Sequence, residues 1–208
     1  CSVGSILITA SGGPFRNYTK EKLKTVTVSD ALKHPTWNMG KKITIDSATL
    51  ANKGLEVIEA CRLFERPVQS LIHSLVRTND GMLYAQISDP TMKHPIFSAL
   101  TYPNNQVSPL EPFELFDHEM TFFKPRFDDF PMLKYAYEAA EKENSYTIAY
   151  NAANEVAVEA FLKEKISFAE ISRIVKSVLD KDWNHKANSF EDIFEQDLRA
   201  RKYAQEEL

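Results

Sequence analysis

A proline- and amide-rich break divides this chain into two parts with different hydrophobic periods, and any fold must respect that division. From residue 101 to 112 the order is Thr-Tyr-Pro-Asn-Asn-Gln-Val-Ser-Pro-Leu-Glu-Pro, which favours extended chain over helix or sheet. Upstream, apolar residues alternate or cluster in short runs. Downstream, from Met132, they recur at helical spacing. The pattern predicts an α/β (α+β) region with a mixed or antiparallel sheet over 1–104 and an extended connector over 105–131. An all-α helical bundle over 132–208 follows, with helices near 132–143, 151–163, 168–181 and 189–205. Ser189-Phe190-Glu191-Asp192 is a good helix start, and Val156, Ala157, Ala160 and Phe161 form an apolar stripe.

The 208 residues, 43% of them hydrophobic, suffice for at least one real core. A formal charge of −4 with no basic run argues against nucleic acid and against strong attraction to membranes. No apolar run approaches the ~18 residues of a membrane span, and the first residues show no signal pattern. These features predict a soluble protein. Two cysteines, Cys1 and Cys61, are too few for a disulfide framework, which fits a reducing compartment.

In the first part, Ser5-Ile6-Leu7-Ile8-Thr9-Ala10 reads as a buried strand emptying into Ser11-Gly12-Gly13-Pro14-Phe15-Arg16. Such a turn can present backbone N–H groups and the Ser11 hydroxyl to an anion; it also reads as a plain turn. After a polar helix or turn over 19–32 comes His34-Pro35-Thr36-Trp37-Asn38-Met39-Gly40, too short and irregular to bury its own Trp37 and Met39. Two readings stand level here, a lid that closes on a substrate and a loop whose tryptophan plugs the core.

The stretch 42–64 concentrates polar chemistry. Ile43 and Ile45 alternate with polar neighbours, predicting a short strand that breaks into a helix at Asp46 or Ser47. Ser47 opens that helix, Asn52 and Glu56 fall on one face, and Lys53 stands three residues before Glu56. Ser47, Asn52 and Lys53 suit a phosphate at the positive helix end, whereas Glu56 suits a cation. Gly54 in mid-helix costs about 1 kcal/mol against Ala, least where another group or a ligand comes close. An amphipathic helix with a Lys–Glu pair explains the same residues more plainly. Further on, strands over 69–77 and 82–87 flank Asn79-Asp80-Gly81, a strong hairpin signal. His73 within the first strand, His94 and His185 are given no chemistry. Asn151-Ala152-Ala153-Asn154-Glu155 is explained by caps and interhelix hydrogen bonds.

Taken together, the Ser-Gly-Gly-Pro-Phe-Arg turn, the His34–Gly40 loop, the run from Asp46 to Glu56 and the Asn-Ala-Ala-Asn-Glu run closely resemble the 1-deoxy-D-xylulose 5-phosphate reductoisomerase family over nearly the whole chain. The resemblance implies an NADPH-dependent oxidoreductase/isomerase of non-mevalonate isoprenoid biosynthesis that forms 2-C-methyl-D-erythritol 4-phosphate. It implies substrate phosphate binding by Ser11, Ser47, Asn52 and Lys53 with His34 close by. Trp37 and Met39 would cover the substrate carbons, so His34, Trp37 and Met39 form the implied catalytic set. Glu56 would contact substrate and serve as one of three acidic ligands of Mg²⁺ or Mn²⁺. A homodimer through the sheet, in the bacterial cytoplasm or a plastid-type organelle, is implied as well. The family's NADPH-binding domain and the Asp-Ser-Glu stretch that holds the other two metal ligands match nothing in this chain, so no residue here is assigned to the cofactor. The 208 residues alone are therefore expected not to turn over. The join Phe64-Glu65-Arg66-Pro67-Val68-Gln69-Ser70 is shorter than the family's, Arg66 stands where a His-Pro-Gln-Ser histidine would be, and Ala51 replaces a bulkier residue. The alternative is a non-catalytic phosphosugar-binding or dimerisation module that keeps the family fold.

Overall fold

The computed structural model describes residues 3–33, 39–64, 68–69, 75–89, 91–104, 106–116 and 120–208. The implied site residues His34 and Trp37, the divergent Arg66 and the strand histidine His73 lie outside the described residues.

The described residues are mostly helical, with one small sheet among them. The sheet holds β1 (Val3–Leu7), β2 (Val68–Gln69), β3 (Leu75–Thr78) and β4 (Leu83–Ala85) in the order β2-β1-β3-β4. The β1–β2 pair is parallel; β1–β3 and β3–β4 are antiparallel. The Asn79-Asp80-Gly81 turn closes the expected hairpin: the Thr78 N–H donates to the Met82 carbonyl at 3.0 Å, and the Gly81 N–H to the Thr78 carbonyl at 3.0 Å. The Thr78 hydroxyl and the Met82 N–H both donate to the Asp80 carboxylate and hold its pKa below the usual value.

Two single-turn helices, α1 (Lys20–Leu23) and α2 (Val28–Ala31), occupy the polar stretch after the Ser-Gly-Gly turn, capped by Thr19 and Thr27. Then come α3 (Lys41–Thr49) and α4 (Ala51–Phe64). The expected strand around Ile43 and Ile45 is therefore corrected to helix, and Ser47 lies in the last turn of α3 instead of opening a helix. Burial gives the reason. Thr44, Ile45, Ala48 and Thr49 are buried, a spacing of one and four residues that only a helix turns to one side, while Ile43 is exposed. A two-isoleucine alternation is too short to set the period. A further helix that the sequence reading did not anticipate, α5 (Lys93–Thr101), precedes the connector. Described residues 106–116 and 120–131 carry neither helix nor strand.

From residue 132 onward all residues are described and no strand occurs: α6 (Met132–Lys142), α7 (Tyr146–Leu162), α8 (Phe168–Leu179) and α9 (Phe190–Glu206) follow. The second helix starts at Tyr146, before the expected 151, which puts the Asn-Ala-Ala-Asn-Glu run inside it. Capping boxes at Ser167/Glu170 and Ser189/Asp192 start α8 and α9. Trp183, fully buried, donates its indole N–H to the Val178 carbonyl at 2.7 Å. One apolar cluster joins the bundle to Phe15, Ile45, Ala51 and Val57 of the first part. No described helix is long and apolar enough to cross a membrane.

Gly54 explains how closely α4 approaches the bundle. A Cβ there would lie 2.6 Å from the Tyr150 hydroxyl oxygen and 2.7 Å from Ala136 Cβ. Tyr150 is wholly buried and donates to the Met132 carbonyl at 3.1 Å; burial pushes its pKa well above 10.0, so the hydroxyl keeps its proton. Gly54→Ala should therefore destabilise by about 1–3 kcal/mol through overpacking, despite alanine's better helix propensity. Urea unfolding checks this, and an unchanged midpoint would contradict the packing described.

Candidate functional site

The turn after β1, the end of α3 and the start of α4 meet at one place. Phe15, with no exposed surface, pins the turn: its ring packs edge-on to Phe168 of α8 at 5.0 Å and tilted on Tyr18 at 5.1 Å. Arg126, at the end of the connector, donates to the Arg16 carbonyl at 2.7 Å and the Tyr18 carbonyl at 2.6 Å while pairing with Asp129. The chain beyond the glycines is thus tied down from two sides.

Gly13 makes the junction. Its φ of +61° suits glycine, and a Cβ would meet the Ser47 carbonyl oxygen at 2.8 Å and Ala48 Cα at 2.9 Å. The Gly13 N–H donates to the Ser11 hydroxyl oxygen at 3.3 Å. The Ser-Gly-Gly turn therefore lies directly against the α3 turn that carries Ser47, with Ser11 exposed and Ser47 half-buried.

Between the helices Leu50 adopts φ 66°, a left-handed conformation that costs a non-glycine residue about 1–2 kcal/mol. Leu50 is nonetheless buried, and its apolar contacts hold the bend. Thr49 completes it: its hydroxyl donates to the Asp46 carbonyl at 3.2 Å and accepts from the Ala51 N–H at 3.3 Å. The bend lets α4 start in a new direction while Ser47 stays on α3.

On α4, Asn52 Nδ2 donates to Glu56 Oε1 at 2.9 Å and Lys53 Nζ pairs with Glu56 Oε2 at 2.5 Å. The Lys53 side chain is 12% exposed and that of Glu56 38%. This trio is self-neutralising. An anion binding at Asn52 and Lys53 would compete with Glu56 for the Lys53 charge, and a cation taking Glu56 would weaken its hold on Lys53. The structure thus brings Asn52, Lys53 and Glu56 together and seats the Ser11 turn against Ser47. Met39 is half-buried just before α3.

Among the described residues no group of three or more His, Cys, Asp or Glu side chains is placed to hold a metal. Hard divalent ions take six or more oxygen ligands. Glu56 supplies one carboxylate, so the described residues do not by themselves fit such an ion.

The support beneath the site differs from the helix cap that the sequence suggests for Asp46 or Ser47. Asp46, 2% exposed, accepts from Asn154 Nδ2 of α7 at 2.9 Å and pairs with Lys42 Nζ at 2.8 Å. The interhelix hydrogen bonds expected of the Asn151–Glu155 run are present: Asn154 reaches α3 in this way, and its neighbour Glu155 pairs with Arg201 of α9 at 2.5 Å. The available signal was a buried-type amide amid Ala152, Ala153, Val156 and Ala157, which demands a polar partner.

Comparison with known proteins gives a consistent picture. The family described as DXP reductoisomerase C-terminal domain matches residues 87–203, and that described as 1-deoxy-D-xylulose 5-phosphate reductoisomerase C-terminal domain matches residues 1–64. The chain is 49% identical over 213 residues to the 1-deoxy-D-xylulose 5-phosphate reductoisomerase of Treponema denticola, covering 98% of this chain and 56% of that protein. The Citrifermentans bemidjiense enzyme is 47% identical over 216 residues, covering 99% and 56%. A solved DOX-P reductoisomerase in complex with NADPH, fosmidomycin and magnesium superposes with a TM-score of 0.89 at 39% identity, covering 99% of this chain and 55% of that one. The Zymomonas mobilis enzyme in complex with NADPH gives 0.91 at 40%, covering 98% and 55%. The chain spans about half the length of the curated relatives it matches.

Because Glu56 occupies Lys53 at rest, Glu56→Gln should free the cation and tighten inorganic sulfate binding. The sulfate-dependent rise in melting temperature should be larger in the variant than in the unsubstituted chain. An equal or smaller rise would show that Glu56 does not compete for Lys53.

Proposed function

We infer that this chain, which belongs to the 1-deoxy-D-xylulose 5-phosphate reductoisomerase family, carries the substrate-phosphate site of a protein that converts 1-deoxy-D-xylulose 5-phosphate to 2-C-methyl-D-erythritol 4-phosphate with NADPH. The observation that carries this reading is the seating of the Ser-Gly-Gly turn on the Ser47 turn, one bend away from Asn52 and Lys53. Hydroxyls, an amide and one ammonium group are the donors that a phosphomonoester dianion requires. We assign Ser11, Ser47, Asn52 and Lys53 to the phosphate, with His34 beside it, and His34, Trp37 and Met39 to the substrate's cover. Glu56 is assigned to substrate and metal as one of several carboxylate ligands.

NADPH and a divalent ion, Mg²⁺ or Mn²⁺, belong to the reading because similar structures are complexes with NADPH and with magnesium. The described residues do not fit the ion alone. What this chain contributes is binding: Lys53 supplies the full positive charge, and the buried side of α4 keeps that charge from moving with its ligand. Residues 1–104 are assigned to the substrate- and metal-binding region, 105–131 to the connector and 132–208 to the helical support. A homodimer is part of the proposal. It is supported by β4, an edge strand whose Leu83 and Tyr84 are exposed beside Met82, and by exposed Phe116 and Phe123 in the connector. The reading places the protein in the cytoplasm of a bacterium, in line with its bacterial relatives.

Two measurements test the proposal. Lys53→Ala removes the only full positive charge among the four assigned phosphate residues, so calorimetric titration with the phosphosugar or a phosphonate analogue should show a larger loss of affinity than for Ser47→Ala. Equal losses would contradict the ranking. NADPH oxidation with 1-deoxy-D-xylulose 5-phosphate and Mn²⁺ should occur in a longer protein that includes the rest of the relatives' length, and not in these 208 residues alone. Turnover by the 208 residues would refute the account of the metal and cofactor. Silence in both, with Glu56→Gln changing no binding, would favour a non-catalytic phosphosugar-binding or dimerisation module.

A further inference from the structure

Asp46 immediately precedes Ser47 on α3, and its side chain is buried against α7. Its carboxylate is 2% exposed and Asn154 is wholly buried; Nδ2 donates to Oδ1 at 2.9 Å across 108 residues of sequence. The second carboxylate oxygen takes Lys42 Nζ at 2.8 Å, and the Lys42 side chain is 41% exposed. Among the described residues, Asn154 Oδ1 is buried without a hydrogen-bond partner.

This is a poor way to add stability. A buried carboxylate sacrifices hydration that its partners only partly return, an unsatisfied buried acceptor costs about 1–3 kcal/mol, and apolar side chains of similar volume commonly do as well or better. What such a pair supplies is direction. Apolar contacts let a helix rotate by some degrees about its axis with little penalty, whereas a carboxylate bonded to one amide does not. α3 has particular need of this, because the chain turns at the left-handed Leu50 and α3 lies in a different direction from α4. The bearing of Ser47 toward the Gly13 turn therefore depends on the ties that α3 makes for itself through Asp46 as well as on the bend that joins it to α4.

We propose that Asn154, through Asp46, is a positioning residue that sets the rotation of α3 and thereby aims Ser47 at the substrate phosphate. The proposal rests on the phosphate reading above. It makes a selective statement: Asn154 acts through Ser47 and not through Lys53, which sits beyond the bend.

The test is a pair of double-mutant cycles in the full-length protein, following NADPH oxidation with 1-deoxy-D-xylulose 5-phosphate. Asn154→Leu should raise the phosphosugar KM about as much as Ser47→Ala does, on the order of five- to tenfold, with kcat changed by less and the NADPH KM unchanged. Combined with Ser47→Ala it should add almost nothing, while combined with Lys53→Ala the two effects should multiply. The reversed pair Asp46→Asn with Asn154→Asp, which restores one donor and one acceptor, should recover most of the lost affinity. A purely structural role predicts otherwise: a lower melting temperature and a lower kcat from loss of active protein, with both KM values intact and both cycles alike. That pattern overturns the proposal. Should Asn154→Leu not fold, Lys42→Gln removes the other partner of Asp46 from a half-exposed position; it should raise the phosphosugar KM about threefold and be non-additive with Ser47→Ala, and an unchanged KM overturns the proposal. Absence of turnover in the unsubstituted protein would sink the activity reading instead, and the same cycles scored by phosphate-dependent thermal shift would still decide the positioning role.

Discussion

The contact between Gly54 and the buried Tyr150 hydroxyl governs the arrangement of this protein. A helix can lie this close to another only where one of them lacks a side chain, and glycine at that point lets α4 settle on Ala136 and Tyr150 with no intervening atoms. Tyr150 in turn must stay protonated and bonded, because a phenolate or an orphaned hydroxyl at full burial would be prohibitively unfavourable. Donation to the Met132 carbonyl satisfies it and fixes the ring. The register of α4 against α6 and α7 is thereby set, and with it the side of α4 left for ligands. Val57 and Ala60 go inward; Asn52, Lys53 and Glu56 remain partly exposed.

That arrangement explains why the candidate site is built from supports that carry no chemistry of their own. Phe15 and Arg126 hold the segment after the Ser-Gly-Gly turn, Gly13 allows it to touch α3, and Leu50 stores backbone strain between the two helices. Strain of about 1–2 kcal/mol is tolerable because Leu50 is buried in the same core that anchors both helices. The polar trio on α4 needs no such help. At helical spacing Asn52, Lys53 and Glu56 find one another locally, which leaves them poised but electrically balanced.

Much of this was legible in the sequence, and the limits follow from range. Period-3.6 patterning after residue 132 indicated four helices because each buries a full stripe over three or more turns. The Asn-Asp-Gly turn indicated a hairpin because its geometry is decided by three residues. The Lys53–Glu56 pair and the unusual Gly54 could be read because both are features of a single helix. The strand read around Ile43 and Ile45 is helix because two residues do not define a period, and the burial that decides the matter comes in part from distant elements, the Gly13 turn and α7. Asp46 or Ser47 reads as a helix cap for the same reason: the actual partner of Asp46, Asn154, cannot be inferred from local sequence. Ser47 reads as a helix start as a consequence, whereas it lies in the last turn of α3 and α4 opens only four residues later, after the bend at Leu50.

The positions of the buried faces also bear on how the two halves of the chain relate. Ile45 and Ala48 of α3 and Ala51 and Val57 of α4 share one apolar cluster with α6, α7 and α8, and the connector ends in Arg126, which holds the loop of the first part by its carbonyls. The helices after residue 132 are thus the surface on which the candidate phosphate segment is moulded. This accounts for the small size of the sheet: β3 buries Leu75 and Thr78, whereas β4 is exposed at every residue, so the sheet contributes little core of its own. A site supported in this way is sensitive to core substitutions on α6 and α7, even though those helices contribute none of the side chains assigned to the ligand. Its precision depends on side chains such as Ala136, Tyr150 and Asn154, which meet α3 and α4 from behind and determine which way their polar faces point.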